Sequence, residues 1–428
     1  MTIPARDGGR EMKLRYCSAL ILSILLLVPG TLAGQSMTIE DCISLARENN
    51  PRLTQLKTSI EKSRVGVTSA YSSYYPSVDL SSGYRIEEAF YGGSQGSYST
   101  GLSLSYPIYR GGNRSATVKS ARAALEVSQE NYRLSESQVI LEIKQAFYRI
   151  LQKQEQMALT EDVVERRKED LVLIKLKYDA GRESLPAVQE AEASLLRAEY
   201  DKKKAEEDLA LAEVDLNLLL GRPASEEISL EYRDDDTEVP PLPTIIEEAT
   251  TERPELKSEE ASTQALRAQV TQARSNYLPS VSLSSSYRWQ GEEFFEQSDN
   301  WSIGLNLSVP IFDGFSTKTK VQEAKLSLEN QDAKMLELRQ QIEEEIQQAY
   351  STWKLAQSII DVNERTLEAT RNMYQLTKLQ YEQGITSYFF LQQKESDLTQ
   401  AENSHVDALY NLRSSRAKLE KAWGRTNQ

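Results

Sequence analysis

Histidine and cysteine are almost missing from this chain: of 428 residues, one is histidine, His405, and two are cysteine, Cys17 and Cys42. Thiolate zinc sites, histidine-cluster metal sites and a disulfide framework therefore have too few ligands to assemble, and no cofactor is expected. Also missing is any apolar run of the roughly 20 residues that a membrane-spanning helix needs. The one candidate, Ala19 to Val28, follows Lys13 and Arg15 and precedes Pro29-Gly30-Thr31-Leu32-Ala33, the basic, apolar and small-residue pattern of a secretory signal. Residues 1–33 are thus expected to be a signal peptide, with 1–11 upstream of the true start and a mature chain beginning near Gly34. Cys17 precedes the apolar core and lacks the small residues that come before a lipidated cysteine. Cys42 then remains alone, expected as a small apolar residue beside Ile39, Ile43 and Leu45. Positive charge is in deficit: 50 Lys and Arg against 64 Asp and Glu give a formal −14, which argues against a nucleic-acid partner. With 27% charged residues the chain does not suit a polytopic helical membrane protein.

What is present is a duplication. Displacing the sequence by 203 residues aligns Pro51 with Pro254, Pro76 with Pro279, Pro107 with Pro310, Gly181 with Gly384 and Gly221-Arg222 with Gly424-Arg425, without a gap. Thr68 to Arg85 and Thr271 to Arg288 share 12 of 18 residues. Each half must carry the same run of elements: a first repeat over 34–222, a second over 244–428, and between them a proline- and acid-rich linker, 223–243, with Asp234, Asp235 and Asp236 read as a solvated loop.

Proline and glycine are absent over long stretches. Neither occurs from Asn113 to Asp179, which predicts a single helix of 67 residues, about 100 Å long. Its repeat is expected at 316–382. Such a helix needs lateral partners, and Ile140, Ile143, Phe147, Ile150 and Leu151 supply an apolar stripe at three-and-four spacing. Returning helices are expected at 185–220 and 386–424, and a helix from Pro51 to about Ser73 with Asn50 as its cap. Thr38-Ile39-Glu40-Asp41 and Thr244-Ile245-Ile246-Glu247 resemble capping boxes that open short helices.

Strand pairs are expected at about 76–108 and 279–311. Val78, Leu80, Tyr84 and Ile86 alternate with small polar residues, and so do Leu102, Leu104 and Tyr106. The second half repeats this with Val281, Leu283, Tyr287 and Trp289, then Trp301, Ile303, Leu305, Leu307 and Val309. Alternation of this kind suits a barrel with lipid outside and water inside. Four strands cannot close a barrel, and an open edge in lipid leaves backbone groups unpaired, so several chains must contribute; three would give twelve strands. Tyr74, Tyr75, Tyr106, Tyr109 and Phe312 at one end, with Phe90, Tyr91, Trp289 and Phe294 at the other, read as two aromatic girdles.

The junctions Pro107-Ile108-Tyr109-Arg110-Gly111-Gly112 and Pro310-Ile311-Phe312-Asp313-Gly314 resemble those of the TolC family of outer-membrane efflux proteins. So do Asn49-Asn50-Pro51 and the segments around Tyr178-Asp179-Ala180-Gly181 and Tyr381-Glu382-Gln383-Gly384. The resemblance covers essentially the whole chain after the signal. It implies a mainly α protein with a β-barrel portion: a homotrimer with a twelve-stranded barrel in outer-membrane lipid, continuous with a twelve-helix periplasmic α-barrel. It also implies a periplasmic adaptor (membrane fusion) protein and an inner-membrane RND, MFS or ABC pump as partners, and no catalysis. The helix-turn-helix tips, with Tyr178, Gly181 and Ser184 and the repeats Tyr381, Gly384 and Ser387, become the expected adaptor-docking surface. Family members often carry aspartates six and nine residues after the second tip glycine. Here those positions are Phe390 and Gln393, and in the first half Ala187 and Glu190, so an apolar Phe390 plug is the expected gate and Glu190 the source of any cation preference. Type I protein secretion remains an alternative to efflux. A trimeric adhesin stalk is disfavoured by the strand pairs, and a periplasmic hydrolase by the absence of a Ser-His-acid or metal set.

Overall fold

The computed structural model describes residues 36–89, 93–233, 238–292 and 298–425. The expected signal peptide, the linker aspartates and the girdle residues Phe90, Tyr91 and Phe294 lie outside them.

The described residues form eight helices and four strands. In the first repeat these are α1 (Ile39–Asn49), α2 (Pro51–Ser72), β1 (Ser77–Ala89), β2 (Gly93–Arg110), α3 (Asn113–Asp179) and α4 (Leu185–Leu220). In the second they are α5 (Leu242–Glu252), α6 (Pro254–Ser275), β3 (Ser280–Gly291), β4 (Asp299–Ser308), α7 (Ser316–Glu382) and α8 (Tyr388–Trp423). Every helix of the second repeat starts and ends 203 residues after its mate, so the period of the sequence is the period of the fold.

Local chemistry sets the ends. Thr38 and Asp41 form a reciprocal capping box on α1. Asn50 accepts from the amides of Arg52 and Leu53 to cap α2, and its side-chain amide donates to Leu219 O at 2.7 Å, tying α2 to the end of α4. The second expected box does not form: α5 begins at Leu242, with Pro241 as its N-cap and no side-chain cap, because Pro243 presets the first turn and draws Thr244 inside it. Likewise α8 begins at Tyr388 rather than 386, since Ser387 is extended and accepts from Phe390 N.

The strands pair in sequence order β1-β2-β3-β4, all antiparallel, which leaves β1 and β4 as open edges. Opposite Val78 stands Leu104, opposite Leu102 stands Tyr287, and opposite Leu283 stands Leu305, so one face is mostly apolar. Leu80, Ile86, Trp301, Ile303 and Leu305 on it are exposed. Two serines break the expected alternation there: Ser82 shares that face but bonds Thr100 at 2.9 Å, and Ser285 stands opposite Leu104 and Ile303. The other face is small and polar, with Ser286 bonded to Ser302 at 2.9 Å and Asn306 donating to Ser284 at 3.2 Å. β2 runs through Pro107 by shifting register between Pro107 and Tyr109, whereas β4 stops at Ser308, so Val309 is not in a strand.

Below the sheet, α3 packs against α2, α4, α6 and α8, and α7 packs against α6 and α8. Two cores lie about halfway along the long helices. One joins Cys42, Leu53, Ile143, Phe147, Leu216 and Leu220, with Ile39, Ile43 and Leu45 packed on it. The other joins Ile245, Leu256, Ile342, Ile346, Leu419 and Trp423. Cys42 is fully buried and its thiol is pushed up to about 12, chiefly by burial, so it packs as an apolar residue. A third cluster, at the far end from the sheet, gathers Ile174, Val188, Ala191, Tyr374, Tyr381, Tyr388, Leu391 and Leu398.

Candidate functional site

Three places along the rod combine backbone constraint with exposed or charged side chains: the strand-to-helix junctions, the tips, and a buried ion cluster just above the tips.

At the first junction Pro107 sits at the register shift, and Gly111 and Gly112 carry the chain into α3 with φ of +57° and +82°. A Cβ on Gly111 would lie 2.6 Å from Ser275 O, so glycine is needed there for closeness as well as for its torsion. Behind the turn the buried Arg114 guanidinium faces the Tyr74 and Tyr106 rings, at 5.4 and 5.6 Å from their centroids. At the second junction Pro310 follows the end of β4, Gly314 has φ +63°, and Phe315, the repeat mate of Gly112, holds φ +69° without being glycine. Asp313 compensates locally: the Thr317 side chain first, and Thr317 N donating at 2.8 Å second, hold its carboxyl below the usual range.

Each tip is a left-handed glycine turn between two long helices, Gly181 at φ +70° and Gly384 at φ +75°, with open space beside both. The two paired tyrosines differ. Tyr178 is 41% exposed, whereas Tyr381 is only 2% exposed, with Lys177 Nζ 3.9 Å from its ring centroid and its hydroxyl donating to Glu183 at 3.0 Å. Burial first, then the Glu183 bond, pushes the Tyr381 phenol pKa up. Tyr381 therefore joins the two hairpins in this chain and has no free face for a partner. Ser184 precedes α4 without capping it, while Ser387 caps α8. The exposed apolar groups at the tips are Leu185, Ile385 and Phe389.

The gate candidates sit within the first two turns of α4 and α8. Phe390 is 43% exposed, with Lys394 Nζ 5.4 Å from its ring. Gln393 donates to Asp397, and Lys394 lies 3.0 Å from the same carboxylate. Glu190 accepts from Gln392 of α8 at 3.1 Å, and Ala187 is packed against the tip core.

Two turns above the tips lies a charged cluster that the sequence reading missed. Asp170 and Glu395 are buried on α3 and α8, between Arg166, Arg167, Tyr374 and Tyr388. Arg167 approaches Glu395 at 2.8 Å, Arg166 lies 3.7 Å from it, and Arg166 also bonds Glu402 at 3.0 Å. A signal was available: Glu395 and Glu402 fall in phase with Leu391 and Leu398, and Asp170 with Ile174, so charge occupies an apolar stripe. No group of His, Cys, Asp and Glu able to hold a metal occurs among the described residues. None of their helices is long and apolar enough to cross a membrane.

Known proteins resemble this chain in sequence and in fold. The chain is 27% identical over 383 residues to protein CyaE of Bordetella pertussis, covering 86% of this chain and 80% of that protein. To the cation efflux system protein CusC of Escherichia coli O157:H7 it is 20% identical over 382 residues, covering 87% and 82%. The fold matches the crystal structure of the Campylobacter jejuni CmeC outer membrane channel with a TM-score of 0.80 at 20% identity, over 91% of this chain and 86% of that one. The family model for outer membrane efflux proteins, a family of channel proteins, matches residues 42–222 and again 245–425, one match per repeat. With both halves matched, the chain belongs to the outer membrane efflux protein family.

Proposed function

We propose that three copies of this chain close a twelve-stranded barrel in outer-membrane lipid above a twelve-helix periplasmic tunnel, forming a passive export conduit that catalyses no reaction. The observation that carries this is the sheet. It has an exposed apolar face, a polar face lined by small side chains and two unpaired edges, and it sits on helices about 100 Å long. An edge facing lipid is tolerable only if another strand pairs with it, and adding β1 of one copy to β4 of the next removes every edge. A periplasmic adaptor protein docks at the Gly181 and Gly384 tips through Tyr178, Leu185, Ile385 and Phe389. An inner-membrane RND, MFS or ABC pump supplies energy and selects the cargo. Phe390 from each copy narrows the periplasmic entrance. Reconstitution of the purified protein in planar bilayers tests the reading: discrete ion-conducting steps are expected, Phe390→Ser raises the open conductance, and Gln393→Asp increases cation selectivity. Inserted protein that never conducts overturns the conduit, and unaltered currents in both variants remove the gate from these residues.

A further inference from the structure

We propose that Asp170 and Glu395 form a proton-sharing carboxyl pair that latches the lower end of α8 to α3, and that ionisation of the pair releases the tip; this rests on the channel reading above.

The geometry is that of an unfinished ion cluster. Asp170 is 1% exposed and Glu395 is fully buried. All four of their carboxyl oxygens are shut off from solvent, and none receives a well-directed hydrogen bond. Buried carboxylates in that condition are costly, and a proton held between two carboxyls supplies the missing donor and removes one charge. The surrounding charge fits one ionised member of the pair better than two. From α3, Arg166 and Arg167 face the pair, but Arg166 is shared with Glu402 of α8. From α7, Arg371 is half exposed and 3.9 Å from Glu402, while Lys378 is engaged by Glu169 at 2.9 Å. Tyr374 of α7 and Tyr388 of α8 are neutral walls whose phenol pKa values are pushed up by burial. On α4, Glu190 is held by Gln392 and Glu192 by Lys175, so neither brings a cation to the pair. A second ionised carboxylate is therefore balanced only by charge already shared: Lys378, which acts on Asp170 but is held by Glu169, and Arg371, which lies beside Glu402.

Burial is the largest influence on both acids, raising Asp170 and pushing Glu395 up to about 7, and each acts on the other. The sign follows from linkage. A carboxyl with a raised pKa in the latched state, and an ordinary pKa near 4.5 once released, favours the latched state at low pH. The latched-to-released ratio falls up to about tenfold per pH unit between those two values and is level above the upper one. The cluster has no copy in the first repeat. The mate of Glu395 is Glu192, paired in the open with Lys175, and the mate of Asp170 is Met373. Release would thus act on the α3–α8 seam alone, five residues above Phe390 on α8.

The test uses the full-length channel in detergent and in bilayers from pH 4.5 to 8. Hydrogen exchange over Tyr388–Glu402, corrected for the intrinsic pH dependence of the amides, is expected to rise at least tenfold up to about pH 7 and then level. Open probability should rise over the same window. The double variant Glu395→Gln with Asp170→Asn, which keeps neutral hydrogen-bonding groups but no carboxyl to titrate, should hold exchange and open probability within about twofold across the range. Glu192→Gln should leave the wild-type response intact. A wild-type protein without this response overturns the latch, as does a response surviving in the folded double variant. Protein that shows the exchange response but no current at any pH overturns the conduit reading and leaves the latch standing.

Discussion

α3 and α7 have the same length and the same place in their repeats, yet 17 residues of α3 are buried against 7 of α7. α3 is surrounded, packing against α1, α2, α4, α6 and α8, while α7 is an edge that packs against α5, α6 and α8 and meets α3 through side chains near the tip. The uncovered side of α7 is not a polar surface: Leu336, Leu355, Val362, Leu376 and Leu379 are exposed along it. At the opposite edge of the sheet of helices, α2 and α4 leave Val65, Leu196, Tyr200 and Leu211 exposed. One copy of the repeat builds the interior of the protomer, and the other leaves that same helix uncovered, where the proposed trimer places a neighbour. The open strands β1 and β4 say the same of the sheet.

That asymmetry can be probed by paired substitutions. Phe147 is fully buried between α3 and α4, whereas its mate Tyr350 is half buried beside Trp353. Phe147→Ala should cost about 3–5 kcal/mol, the range for truncating a buried aromatic, and Tyr350→Ala about 1 kcal/mol, read from the midpoints of chemical unfolding. Equal losses would mean that the two helices are equivalently packed and would remove the contrast.

A second pair compares the two mid-rod junctions. Where Asn50 caps α2 with a neutral amide, its mate Arg253 cannot accept from the α6 amides and instead pairs with Glu255 and Glu345, both at 2.7 Å. Burial opposes ionisation of Glu345, but Arg253 and Lys421 outweigh it and hold the carboxyl below its usual range. A depressed folded-state pKa contributes stability that is present above the ordinary carboxyl value and lost as pH falls through the folded one. Acidification below about pH 4.5 should therefore loosen the start of α6 before the start of α2 in hydrogen exchange. Arg253→Ala, which strands a partly buried carboxylate, should cost about 2–3 kcal/mol at pH 7.

The smallest contrast lies in two glycines. Gly221 and Gly424 end α4 and α8 at φ +73° and +89°. A Cβ at Gly221 would meet Asn49 O at 2.5 Å, but at Gly424 its nearest neighbour is Arg253 Cγ at 3.6 Å. Gly424→Ala should cost about 1–2 kcal/mol for the left-handed torsion alone, and Gly221→Ala more than that, measured as a difference in thermal midpoint.

The sequence displayed the repeat and the helix ends because those depend on local chemistry. Glycine at positive φ stops α3 at Gly181 and α7 at Gly384, and a shift of 203 residues carries one repeat onto the other. What it hid depends on which faces meet. Tyr178 and Tyr381 occupy matching sequence positions, yet only Tyr381 is enclosed, because the hairpins pack with Lys177 and Glu183 across its ring and hydroxyl. Phe315 in the left-handed region runs against residue preference and could not be read from its type. The Asp170 and Glu395 pair was concealed differently, since carboxylates at helical spacing usually mark a solvated face and only the α3–α8 packing turns these two inward.

The central claim, that this chain is one third of a closed conduit whose seam runs along α7, is tested most directly by the protein mass of the detergent-solubilised particle by light scattering. Three chain masses are expected for the wild type, and a single-chain mass with helical content retained when Leu336 and Leu355 are both replaced by aspartate. A wild-type particle of one chain mass, with α3 and α7 equally protected from hydrogen exchange, would contradict it.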